Sequence, residues 1–243
     1  MEETQRLLMT ARKVAVLTGA GVSAESGIPT FRGPGGLWRN FRPEELATPE
    51  AFARDPRLVW EWYAWRREII AAARPNAAHL VLARMEEFYP DFTLITQNID
   101  GLHQAAGSKN VVELHGNIWR VRCLREGRIM EHREVPPARI PPLCECGGLL
   151  RPDVVWFGEA LPEEELSRAF AAAESCEVML VVGTSGVVQP AASLPYLVRR
   201  RGGAVIEFNT ERTPISQIAT RSFFGPAARV LPELWEGVAV PGP

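Results

Sequence analysis

Lysine is nearly absent from this chain: only Lys13 and Lys109 interrupt an otherwise all-arginine set of 27 basic residues. That bias fits a GC-rich genome or a thermophilic source and singles out neither. An excess of positive charge is missing too. The 27 basic residues face 29 acidic ones, for a formal net charge of -2, so the chain lacks the basic face that nonspecific nucleic-acid binding requires. Cysteine is scarce, with four in 243 residues, too few for a secreted disulfide scaffold of this length. No apolar run approaches the roughly 18 residues that span a membrane. The amphipathic stretch Gln5–Arg12 has neither the apolar core nor the cleavage site of a signal peptide. A cytoplasmic protein without nucleic-acid or membrane partners is the expectation. There is no internal repeat and no partner-binding tail, so a monomer is the default.

What remains is a globular composition, 46% hydrophobic and 23% charged. The length fits one substantial α/β domain, alone or with a smaller inserted module. Apolar strands are expected at 14–18, 92–96, 111–114, 178–182 and 204–208, with a shorter one near 229–231. Amphipathic helices are expected at 56–73, 76–88, 163–174 and 190–201. This alternation indicates βαβ units and a mostly parallel sheet. Two regions break it. Residues 34–55 carry Pro and Gly punctuation and read as a loop with short helical pieces. Residues 120–152 hold Pro136, Pro137, Pro141, Pro142 and three of the cysteines, and read as a small loop-rich insertion.

The clearest chemical signal follows the first strand, in Gly19-Ala20-Gly21-Val22-Ser23-Ala24-Glu25-Ser26-Gly27-Ile28-Pro29-Thr30-Phe31-Arg32-Gly33. Small residues at 19, 20 and 21 let backbone amides approach an anion such as pyrophosphate. The dehydrogenase fingerprint GxGxxG is absent, because the third glycine falls at 27. The glycines run instead into a Pro, Phe and Arg segment suited to closing over a ligand. Further clusters stand at the carboxyl ends of expected strands, where open α/β sheets bind ligands. Gln97, Asn98 and Asp100 offer amides and a carboxylate, or alternatively a helix cap. His115-Gly116 has the placement of a general base, although a lone histidine is more often structural. Gly183-Thr184-Ser185 suits phosphate oxygens, and Glu207-Phe208-Asn209-Thr210-Glu211 suits ribose hydroxyls.

In this order, these residues resemble the sirtuins, the NAD-dependent protein lysine deacylases. The likeness includes Leu149-Leu150-Arg151-Pro152-Asp153-Val154-Val155-Trp156-Phe157-Gly158-Glu159 and extends over almost the whole chain. It implies an α/β fold in which residues 1–33, 92–119 and 153–243 form a Rossmann-like parallel-sheet domain. Residues 34–91 would be a helical and loop segment, and 120–152 a small, degenerate zinc-ribbon-like module. NAD, consumed as a cosubstrate, would lie between the large domain and the module. Gly19, Ala20, Gly21, Ser23, Phe31 and Arg32 would line its loop, with Gln97, Asn98 and Asp100 near the nicotinamide and its ribose. Gly183, Thr184, Ser185, Asn209 and Glu211 would serve the phosphates and adenosine, and Ala228 would make a backbone contact to adenine.

The implied reaction begins when the acyl oxygen of a modified lysine attacks C1′ of the nicotinamide ribose. Nicotinamide leaves, His115 acts as general base on the ribose hydroxyls, and water completes release of lysine and O-acyl-ADP-ribose. Asn98 and Asp100 would orient the ribose and the water. Val155, Trp156, Phe157 and Gly158 would receive an acyl-lysine protein or peptide through main-chain hydrogen bonds. Mono-ADP-ribosyl transfer and a non-enzymatic NAD-sensing scaffold are the alternative functions.

Tyr63 and Arg66 are three apart and share a helix face. On the residues alone this is an amphipathic surface helix. The Tyr-x-x-Arg arrangement resembles the acyl pocket of sirtuins that remove succinyl and malonyl groups. It implies a phenol and a guanidinium binding a terminal carboxylate, with weaker deacetylation. The family's two CxxC zinc pairs are both broken here. Glu126 takes the second position after Cys123, and Cys144-Glu145-Cys146 is one residue short. Glu126 or His132 could complete a zinc site; alternatively, packing of the Pro-rich loop replaces the metal. No metal ligand is assigned, and less than one zinc per chain is expected. Cys176 reads as a small buried hydrophobe.

Overall fold

Runs such as Val178–Val182 are apolar at every position, so they bury on both faces and suit the centre of a parallel sheet. The computed structural model describes residues 1–31, 36, 37, 40 and 42–238. The chain starts with α1 (Glu2–Thr10), β1 (Lys13–Thr18) and a 3-10 turn over Ala20–Ser26. There follow α2 (Pro43–Leu46), α3 (Pro49–Arg54), α4 (Pro56–Ala72), α5 (Ala77–Phe88), β2 (Asp91–Thr96), α6 (Leu102–Ala105) and β3 (Val111–Glu113). An antiparallel unit comes next, from β4 (Gly116–Cys123), β5 (Ile129–Glu131) and β6 (Leu150–Val154), ordered β5-β4-β6. The chain returns through α7 (Glu163–Ser175), β7 (Val178–Val182), α8 (Leu194–Arg200), β8 (Ala204–Asn209), β9 (Arg221–Phe224) and α9 (Ala227–Glu236).

The large sheet has the order β3-β2-β1-β7-β8-β9, with every pair parallel. Successive strands spread outward on both sides of β1 and β7, which makes the carboxyl ends of these strands the topological switch point. One face is covered by α1, α5 and α9 through Leu8, Leu82, Met85, Leu231 and Leu234. The other is covered by α7 and α8 through Ala169, Ala173, Leu194 and Val198. A third cluster joins α3 and α4 to the antiparallel unit through Phe52, Trp60, Ile118, Val121 and Leu150. Among the described residues, no helix is long and apolar enough to cross a membrane.

Local signals explain the helix starts. The Asp55 side chain accepts the Leu58 N–H at 3.0 Å, and Pro56 opens α4. Against the reading as a surface helix, α4 buries Val59, Trp60, Trp62, Tyr63, Ala64, Arg66, Arg67 and Ile70. Trp60 anchors it, donating its indole N–H to the Leu150 carbonyl at 2.8 Å. Truncation there to alanine costs about 3–5 kcal/mol.

Two elements differ from expectation. Residues 229–231 lie in α9, not in a strand, because Val230, Leu231, Leu234 and Trp235 bury at helical spacing. Pro232 inside that helix hides the period, since a proline ordinarily ends it. The edge strand is instead β9, only half apolar and partly exposed. The expected helix at 190–201 splits into a 3-10 turn at Ala191–Ser193 and α8.

Candidate active site

The glycines at the switch point bring two loops into backbone contact. The Gly21 N–H donates to the Gly183 carbonyl at 2.8 Å, and the Gly19 N–H donates to the Val182 carbonyl at 3.0 Å. A Cβ on Gly183, whose φ is +62°, would stand 2.4 Å from the Val22 nitrogen. The amides of Gly19 and Gly21 are therefore engaged in this contact and not presented to an anion. Thr184 ties three sequence-predicted residues together. Its hydroxyl accepts from the Gln97 side chain at 2.9 Å, and its carbonyl accepts from the Asn209 side chain at 2.8 Å. Ser185 is half-buried beside it and Glu211 is exposed. Ala20 and Phe31 are half-buried, whereas Arg32 lies outside the described residues. The Ala228 N–H donates to the Glu25 carboxylate at 3.1 Å, which links α9 to the first loop.

A buried polar network holds the β2 loop against that first loop. Ser23 donates to an Asp100 carboxylate oxygen at 2.8 Å and accepts from the Asn98 side chain at 3.2 Å. The other Asp100 oxygen accepts the Leu102 N–H at 2.9 Å. Burial raises the Asp100 carboxyl above its ordinary range, opposed by these donors and by the charge of Arg66. His79 also belongs here, although no strand-end motif contains it. It occupies the third position of the α5 capping box, where its Nδ1 accepts the Asn76 N–H at 3.2 Å. Nε2 consequently carries the proton and faces Ser23 Oγ at 3.3 Å. Burial lowers the His79 pKa to about 4. The readable signal was Asn76 three residues ahead of a histidine at a helix start.

His115 stands where β3 turns into β4. Its Nδ1 lies 2.9 Å from the Gln97 carbonyl, which can only accept, so Nε2 is left without a proton. Burial lowers its pKa and the Gln97 bond partly offsets this, so the ring is neutral at pH 7. Gly116, at φ +77°, is required because a Cβ there would meet the Asp153 carbonyl at 2.2 Å. The His115 carbonyl accepts the Val155 N–H at 2.9 Å, which ties the segment 155–159 to this strand end. The N–H groups of Trp156 and Phe157 are also engaged, with Glu159 and with the Ala47 carbonyl. The Gly158 N–H and the Val155 carbonyl have no hydrogen bond among the described residues.

Tyr63 and Arg66 project from α4 toward the same region, 3% and 6% exposed. The Arg66 guanidinium lies 4.8 Å from the Phe31 ring centroid and 5.1 Å from that of Trp62. Among the described residues no carboxylate forms a salt bridge with it. The Tyr63 hydroxyl accepts the Trp156 indole N–H at 2.9 Å. A small cavity beside Arg66 is lined by Ile28, Pro29, Leu37, Trp65 and Ile70. A separate crevice of about 570 Å³, bordered by Arg6, Arg199 and Arg221, contains none of the strand-end residues.

At the far end of the antiparallel unit, the donor atoms of Cys123, Glu126, Cys144 and Cys146 all lie within 4.8 Å of one another. Cys123 Sγ is 3.5 Å from Cys146 Sγ, and Cys144 Sγ is 3.8 Å from a Glu126 oxygen. A tetrahedral zinc with bonds near 2.3 Å spaces its ligands by about 3.8 Å, so this donor set fits the ion. Gly148 is needed alongside, because a Cβ there would stand 3.1 Å from Cys123 Sγ and 3.3 Å from Cys146 Sγ. His132, the alternative fourth ligand, instead accepts from the Arg67 guanidinium at 2.8 Å. The sequence assigned no metal ligand; folding brings together the four residues that broken spacing had obscured. Cys176 is half-buried, and burial is the main reason its thiol pKa rises to about 11.

Comparison with known proteins agrees with this arrangement. The Sir2 family profile matches residues 19–190. An NAD-dependent protein deacylase of Aquifex aeolicus (strain VF5) is 58% identical over 224 residues, covering 92% of this chain and 94% of that protein. The ADP-ribose complex of a Sir2 homologue mutant superimposes with a TM-score of 0.95 at 51% identity, covering 98% of this chain and 96% of the other. A Sir2–p53 peptide–NAD+ complex gives a TM-score of 0.88 at 37% identity, covering 97% of each chain. The chain belongs to the Sir2 family.

Proposed function

We propose that this protein is an NAD-dependent protein-lysine deacylase that prefers acyl groups ending in a carboxylate, succinyl and malonyl, and removes acetyl groups more weakly. Its relatives' activity, together with a neutral histidine base at the carboxyl end of β3, supports the deacylase part. The observation that carries the acyl preference is the Arg66 guanidinium, 6% exposed and without a salt bridge among the described residues. A buried cation without a salt-bridge partner is costly, the more distant Asp100 offsetting only part of its desolvation, and a substrate carboxylate relieves that cost. The Tyr63 hydroxyl, which accepts from Trp156, retains its own proton for the same carboxylate. An acetyl group leaves this position empty.

In this reading NAD is bound by the loops carrying Gly19–Phe31, Gln97–Asp100, Gly183–Ser185 and Asn209–Glu211, with Ala228 beside the adenine. His115 Nε2 takes a proton from the ribose hydroxyl system. Asn98 and Asp100, fixed by Ser23, orient the ribose and the attacking water. The acyl-lysine peptide runs along 155–158, where the Gly158 N–H and the Val155 carbonyl offer its backbone a donor and an acceptor. Zinc, held by Cys123, Glu126, Cys144 and Cys146, would cross-link the antiparallel unit and take no part in the chemistry. Nicotinamide release that depends on an acyl-lysine peptide, with O-acyl-ADP-ribose identified by mass, tests the reading. ADP-ribose attached to protein would favour the transferase, and NAD binding without turnover would favour the scaffold.

A further inference from the structure

We propose that Arg151 is a positioning residue that sets acyl preference by orienting the Tyr63 hydroxyl through Trp156. Arg151 lies on β6, belongs to none of the strand-end loops and is 8% exposed. Each of its three nitrogens is engaged. Nε donates to the Pro152 carbonyl at 3.3 Å, and one terminal nitrogen donates to Glu159 at 2.5 Å. The other donates both to Glu159 at 2.9 Å and to the Val154 carbonyl at 2.8 Å. The guanidinium carbon sits 3.5 Å from the Trp156 ring centroid. Glu159, held by Arg151, accepts the Trp156 backbone N–H at 2.8 Å. Arg151 thus fixes Trp156 by its ring face and, through Glu159, by its backbone.

The indole edge then has one polar task, donating to the Tyr63 hydroxyl at 2.9 Å. A phenol oxygen that accepts an N–H on one side keeps its own proton away from that side. Trp156 therefore decides where the Tyr63 proton lies, and Arg151 decides where Trp156 lies. An acyl group that ends in a carboxylate uses that proton, whereas acetyl does not reach it. The kinetic consequence rests on the carboxylate reading of Tyr63 and Arg66, but the geometry does not.

Arg151→Lys keeps the charge and removes the planar fork. The succinyl-to-acetyl ratio of kcat/KM should fall about 10-fold, the size expected for one hydrogen bond to a charged group, and the fall should appear in KM. In a Tyr63→Phe background the same substitution should change the ratio less than about 2-fold, because the hydroxyl it positions is gone. General loosening of 155–159 affects both peptides and cancels in the ratio. Without substrate, the indole N–H resonance of Trp156, assigned among the seven tryptophans with Trp156→Phe, should move in Arg151→Lys in the same direction as in Tyr63→Phe. Glu159→Gln loosens the clamp from its other end and should reproduce both effects if Arg151→Lys does not fold. An unmoved resonance, or an equal fall of the ratio in both backgrounds, overturns the proposal. Equal losses on both peptides in Arg66→Met would instead overturn the carboxylate reading, and the resonance would still decide the role of Arg151.

Discussion

His115 is held by Gln97: the imidazole Nδ1–H donates to the Gln97 carbonyl at 2.9 Å, and Nε2 keeps a free lone pair. One amino acid thereby links two strand-end loops and fixes the tautomer a general base requires. His115→Ala should reduce deacylation by about 10²–10⁴-fold while NAD binding, followed by calorimetry, is largely kept. Burial lowers the His115 pKa, so the base stays neutral below the ordinary histidine range. The acid limb of kcat/KM should therefore lie below about pH 6.5. Near-normal turnover in a folded His115→Ala variant would remove His115 from its role.

Buried histidines also shape stability. His79 has its pKa lowered to about 4 and His103 is held well below its ordinary value, both mainly by burial. The unfolded chain binds these protons near pH 6.5 and the folded chain does not, so stability is full above that pH and falls with acidification. For His79 alone the loss approaches about 3 kcal/mol once pH passes below 4. Asp100, whose carboxyl is raised, acts in the opposite sense. Urea midpoints measured from pH 7.5 to 4 should decline, and the decline should be shallower in His79→Asn. A flat profile would contradict this assignment.

Metal content tests the cluster at the end of the antiparallel unit. Elemental analysis should give one zinc per chain, in place of the lower value that the spacing of the cysteines suggests. Glu126→Ala should release zinc to a chelator more readily, by more than the roughly 10-fold that follows loss of an outer-shell partner. Glu126→Cys should retain it at least as well as the natural chain. Zinc-free protein after a zinc-supplemented purification would contradict the assignment.

Much of this architecture was legible because parallel strands buried on both faces are rich in apolar residues: β7 is apolar throughout, and β1, β2 and β8 are largely so. The strand ends were legible for the same reason, since Gln97, His115 and Thr184 each lie within two residues of a strand's end. What escaped depends on distance in sequence. Gly21 and Gly183 read as anion cradles, yet they serve each other across 162 positions. Glu126 completes a thiol cluster that spacing alone made look broken. His79 and Arg151 sit on regular elements away from the strand-end clusters, and only folding shows them against Ser23 and Trp156.

The central claim, a lysine deacylase selective for carboxyl-bearing acyl groups, is tested most directly by kcat/KM on matched succinyl-lysine and acetyl-lysine peptides for the natural chain and Arg66→Met. The natural chain should prefer the succinyl peptide. Arg66→Met should lose that activity by about 30-fold to several-thousand-fold, the cost of about 2–5 kcal/mol for a missing charged partner. Its acetyl activity should stay weak and measurable. Equal fractional losses on both peptides would assign Arg66 a general structural role and contradict the carboxylate pocket.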